Sequence, residues 1–118
     1  MRDLTSLRER YMRDPLAVRL GGLAANLSRV RSFAGHDANS SAAASVLDES
    51  KHFIEWTAPE MEPEGAAELV QVQIEIARLQ LRWERIWSDR ERRRDVAEQS
   101  GRWAQHIIEM SGLLEKLH

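Results

Sequence analysis

The segment LVQVQIEIARLQLRW, residues 69–83, limits the fold more than any other part of the chain. Its first half alternates apolar and polar residues as a strand does, with Val70, Val72, Ile74 and Ile76 on one face. Ala77 breaks that phase, and no second segment supplies a strand to pair with it. In helical step the same residues form two seams. Leu69, Val72, Ile76, Leu79, Trp83 and Ile86 make one. Val70, Ile74, Ala77 and Leu81 make the other, roughly 100–160° further round the axis at about 100° per residue. The segment is therefore expected to be helical throughout, with Gln73 and Gln80 between the seams and Trp87 continuing their line.

Turn chemistry divides the rest of the chain into helices as well. Asp14-Pro15 offers a capping carboxylate before a proline suited to the first helical turn, and Gly35 to Ser40 supplies the next break. Ala58-Pro59 stops a further helix, because the residue before proline is pushed out of the α region. Pro63-Glu64 opens the following one, and Ser88-x-x-Glu91 matches a capping box. The expected helices span about 3–13, 15–34, 39–57, 63–87 and 89–116. The chain length of 118 residues suits one domain. The expectation is an all-α, up-and-down four-helix bundle with a short extra N-terminal helix.

Two helices carry matching rows of small residues. Leu16, Leu20, Leu23, Leu27, Val30 and Ala34 step by four and three, beside Ala17, Gly21, Ala24 and Ser28. The last helix repeats this through Val96, Ser100, Trp103, Ile107, Met110, Leu114 and Leu117, beside Ala97, Gly101 and Ala104. Facing small rows would let the first and last bundle helices approach closely, and Gly21-Gly22 is expected to serve that contact. Charge is sorted too: residues 1–36 hold seven Arg against three acids, and residues 37–77 hold one Lys against nine. Such segments favour each other as neighbours, although exposed pairs contribute only about 0–1 kcal/mol each.

Composition excludes several chemistries. With no cysteine, neither a disulfide framework nor a thiolate metal site is possible. The N-terminus lacks an apolar signal core and no stretch is long enough to span a membrane, so a cytoplasmic protein without membrane association is expected. No phosphate-binding loop, dinucleotide fingerprint or nucleophile elbow occurs.

Three groups of residues remain as candidate sites. Glu49, His52 and Glu55 share one helix side, and His106 and Glu109 another; this is a partial version of the Glu-x-x-His pattern of di-iron bundles. One such motif is missing, so i,i+3 pairing on a solvated face is the expected role, and no cofactor is expected. Arg31 and His36 resemble, over those two residues, the short arginine–histidine motif of HEPN-type helical ribonucleases, with the histidine beyond the helix end. Arg90, Arg92, Arg93 and Arg94 crowd the first turns of the last helix, where arginine is mildly unfavourable. They are expected to be exposed and could serve a polyanion, but interleaved Asp89, Glu91 and Asp95 and an overall charge of -2 argue against nucleic acid.

Assembly is the strongest functional expectation. A bundle helix needs an apolar arc of a little over 100°, whereas the two seams of residues 66–87 cover on the order of 240°. Something beyond the core must cover the excess. The candidates are the N-terminal helix, through Leu4, Leu7 and Tyr11, or a second subunit on Val70, Gln73, Ile74, Ala77, Gln80 and Leu81. A homodimeric or partner-binding module without enzymatic activity is the expected function.

Overall fold

The computed structural model describes residues 3–112, and every regular element in them is helical. Asp3 caps α1 (Leu4–Met12) by accepting the Ser6 amide at 3.2 Å, which satisfies one of the amides left free at a helix start. α2 (Leu16–Phe33) starts directly after Pro15. Asp14, expected to cap it, does not; its carbonyl oxygen instead accepts Arg19 Nε at 3.0 Å. A 3-10 turn at Asp37–Asn39 leads into α3 (Ser40–Thr57), and a second at Ala58–Glu60 leads out of it. α4 (Pro63–Leu81) opens on its proline. α5 (Trp83–Ser88) and α6 (Arg90–Ser111) complete the described chain.

The structure departs from the expected boundaries at three points, each with a local cause. Asp89, not Ser88, caps α6, accepting the Glu91 and Arg92 amides at 2.9 and 3.3 Å. Ser88 is still the last turn of α5, and only Asp89 has the extended backbone (φ -97°, ψ 118°) that a cap requires. At the far end Gly112 takes a left-handed conformation (φ 73°) and stops α6 at Ser111, short of residue 116. Leu114 and Leu117, expected to extend its seam, lie outside the described residues.

The third departure is the largest. The helix expected over 63–87 is interrupted at Arg82, whose φ and ψ of -124° and 23° leave the helical region. Two indoles explain the interruption. Trp83 Nε1 donates to Ser40 Oγ at 3.1 Å and Trp87 Nε1 to the Asp37 carbonyl at 2.9 Å, with the rings stacked 4.9 Å apart. A straight helix would carry Trp87 along the line of Gln73 and Gln80; the break turns it inward, where it is buried. A buried indole N–H without a partner is costly, and the turn before α3 supplies carbonyl and hydroxyl acceptors.

α2 packs along both α6 and α3, α3 packs along α4, and α1 and α5 lie on α3 and α6 respectively. Leu23 and Leu27 of α2, Leu47 and Ile54 of α3, Leu69 and Ile76 of α4 and Ile107 of α6 are fully buried. Each such side chain contributes roughly 1.5–3 kcal/mol relative to exposure. Between α2 and α6 the small rows do meet: Ala24 and Ala104 are buried, and Gly21, Ala25, Ser28 and Gly101 line the shallow seam between the two helices. Gly22 is the exception. It is exposed, with nothing within 4 Å of where a Cβ would stand, so close packing does not account for it.

α1 is fastened by a buried polar network rather than by apolar burial alone. The Tyr11 ring stacks on Phe53 of α3 with centroids 3.9 Å apart, and its hydroxyl donates to the Arg19 carbonyl at 2.9 Å beside Thr57 Oγ1 at 3.0 Å. Burial pushes the Tyr11 phenol up to about 12, so it keeps the proton that this bond needs. The Arg19 guanidinium is buried and grips the Glu60 carboxylate with two bonds of 2.8 and 2.9 Å. One side chain thus joins α2 to the 3-10 turn after α3 and, through Asp14, to the loop after α1.

Two measurements check these assignments. Gly22→Ala should raise stability by about 0.5–1 kcal/mol in urea denaturation, since an exposed mid-helix glycine costs about that much and the added methyl meets nothing. The hydrogen bonds from Arg19 hold the Glu60 carboxyl below its ordinary 4.5. A lowered folded-state value means that the stabilisation is complete above 4.5 and is lost as pH falls through the lowered value. Melting curves of the parent and Glu60→Gln should therefore differ at neutral pH and converge in acid.

Candidate functional site

α4 buries one seam and exposes the other. Leu69, Val72 and Ile76 face α3 and the core, whereas Val70, Ile74 and Leu81 are 39%, 42% and 85% exposed. With the exposed Ala67 and half-buried Ala77 they form a continuous apolar stripe stepping three, four, three and four residues along the helix. Gln73 belongs partly elsewhere than expected: its amide donates to the Lys51 carbonyl of α3 at 3.1 Å, tying α4 to its neighbour. Gln80 is half-buried beside Leu81 at the helix break. Beside the middle of the stripe stand the uncharged Gln71 and Gln73, whereas Arg78 follows Ala77 and Arg82, Glu84 and Arg85 surround Leu81 at its end.

The N-terminal helix packs against α3. Tyr11 packs among Phe53, Trp56 and Thr57, all on α3. Leu7 and Met12 of the same helix are packed against the core.

The carboxylates and histidines considered for a metal are dispersed. Glu49 accepts from Asn26 of α2 at 3.2 Å, and His52 lies between Asp48 and Glu55 at 3.7 and 3.6 Å with its ring near Trp56. His106 turns to Glu68 of α4 at 2.9 Å, while Glu109 accepts from Gln105. No group of three potential ligands occurs among the described residues. His36 precedes the first 3-10 turn, and the Arg31 side chain lies over Gly101 of α6.

The arginine cluster divides. Arg90, Arg92 and Arg94 are exposed, and Arg92 faces Asp89 at 3.7 Å. Arg93, expected to be exposed like them, is half-buried, and its Nη1 donates to the Trp87 carbonyl at 2.7 Å. It satisfies the carbonyl end of α5, which explains an arginine in the first turn of α6 better than a polyanion does.

A groove of about 360 Å³ lies between the end of α4, α5 and the first turns of α6. Leu79, Ile86 and Val96 form its floor, with Arg82, Arg92 and Asp95 at its sides. α4 stands off α6 here because long side chains bridge them lower down, Trp103 Nε1 to Glu75 at 3.1 Å and His106 to Glu68. No periodicity in the sequence announces this groove, since it depends on the break at Arg82 as well as on the side chains between α4 and α6.

Comparison with known proteins found no matching family model, curated protein or solved structure. Among the described residues no helix is long and apolar enough to cross a membrane.

The division of the arginine cluster can be measured. Arg90→Gln and Arg94→Gln should each stay within about 0.5 kcal/mol of the parent in urea denaturation. Arg93→Gln should lose about 1–3 kcal/mol, because the Trp87 carbonyl loses a charge-assisted donor.

Proposed function

We propose that the chain is an assembly module: an up-and-down bundle of α2, α3, α4 and α6 whose α4 pairs through its outer stripe with α4 of a second copy. The observation that carries this reading is the position of the exposed apolar side chains. Val70, Ile74 and Leu81 are three of the five exposed large hydrophobics among the described residues, and all three share one stripe. A contiguous apolar stripe in water invites a partner, and the three-four spacing suits a helix laid along it.

The choice of a second copy follows from charge. A two-fold interface presents the same surface to itself, so any charge beside the axis meets its like. About Ile74, where the axis would pass, the flanking residues are Gln71 and Gln73, so no like charges meet at the axis. Antiparallel pairing about Ile74 sets Arg78 of one copy near Gln71 of the other, which keeps the two guanidinium groups apart. The alternative cover, α1, is occupied on α3 by the Tyr11 network.

Light scattering after size exclusion should report a dimer at tens of micromolar. Val70→Asp and Leu81→Asp should each shift it to monomer with an unchanged far-ultraviolet circular dichroism spectrum, because neither side chain lies in the core. A parent protein that is a stable monomer at that concentration would overturn the reading, as would a dimer that survives both substitutions.

A further inference from the structure

The groove between the α4–α5 break and the start of α6 plays no part in the proposed dimer. Leu79, which lines it, and the dimer stripe lie on opposite sides of α4. We propose that it binds an aliphatic carboxylate, a small amphiphile with one negative charge. Its volume of about 360 Å³ lies at the lower end of the ligand-pocket range of about 300–1,000 Å³. Its floor, Leu79, Ile86 and Val96, offers only hydrocarbon to a ligand.

The rim specifies the head group. Arg82 and Arg92 bring two guanidinium groups to one groove, each able to donate to a carboxylate, and the Gln99 amide adds a neutral donor. Arg92 stands in the first turn of α6, a 22-residue helix, where the positive end of the dipole adds to the attraction for an anion. Asp95 shares the rim and repels a second negative charge, which favours a carboxylate over a phosphate dianion. Among the described residues the Arg92 side chain is otherwise engaged by an exposed Asp89 at 3.7 Å, a contact of little energetic weight.

The test is titration of the full-length protein with decanoate below its micelle concentration, followed by amide chemical shifts. Saturable shifts should centre on Leu79, Ile86 and Val96. Decanol, with the same chain and no charge, should bind about tenfold more weakly, and so should decanoate to Arg82→Gln/Arg92→Gln, as expected for loss of charge-assisted hydrogen bonds. Both arginines are exposed, so circular dichroism should confirm that the double variant remains folded. The proposal is overturned by the absence of saturable shifts, by shifts centred on Val70 and Ile74, by equal affinity of the double variant, or by inorganic phosphate moving the same amides as strongly. Oligomeric state is read separately by light scattering on the same samples, so failure here and failure of the dimer are distinguishable.

Discussion

Arg19 sits where three parts of the chain meet, and its burial organises much of what surrounds it. A guanidinium out of water is costly unless its donors find acceptors, and here the Asp14 carbonyl, Met12 sulfur and Glu60 carboxylate take up four of its five N–H groups. Meeting those donors draws the loop after α1 and the turn after α3 onto α2. The Arg19 carbonyl in turn holds the Tyr11 hydroxyl, whose ring lies flat on Phe53. α1 is thereby committed to α3, and among the described residues Val70, Ile74 and Leu81 on the outer stripe of α4 remain exposed.

A second set of polar demands shapes the opposite end of the molecule. Trp83 and Trp87 each carry one N–H that must find an acceptor, and Ser40 and Asp37 provide them at the start of α3. Reaching both acceptors breaks the helix at Arg82, and the break parts α5 from the line of α4. Arg93 then crosses from α6 to close the carbonyl end of α5. The groove floored by Leu79, Ile86 and Val96 is the space these commitments leave. Its rim arginines remain outside them, and for that reason Arg82 and Arg92, not Arg93, are the residues suited to an external anion.

The candidate chemistry of the sequence dissolves under the same kind of accounting. Glu49, His52, Glu55, His106 and Glu109 are distributed among separate partners on α2, α3, α4 and α6, so that spacing alone does not bring them to one point. What persists is a surface property: an apolar stripe at coiled-coil spacing with glutamines beside its centre. The proposed assembly role rests on that surface, since association needs area and shape more than a set of titrating groups.

Helical periodicity, capping residues and proline positions are local, and they made the all-helical character, most helix starts and the two seams of α4 legible in the sequence. A seam shows that a face is apolar without showing what meets it. Both seams of α4 look alike in sequence, and only packing made Leu69, Val72 and Ile76 core and left Val70, Ile74 and Leu81 in solvent. The break at Arg82, the transfer of capping from Ser88 to Asp89, the burial of Arg19 and Arg93 and the partners of Tyr11 were illegible for one common reason. Each depends on a hydrogen-bond partner or a backbone conformation that local pattern does not encode: Thr57 lies 46 residues from Tyr11, and Asp37 lies 50 from Trp87. The sequence by itself determined helices and their apolar faces, because those follow from the 3.6-residue turn and the residues within it. Tertiary structure decided which faces are covered, because a buried polar group accepts only the partner that the fold brings to it.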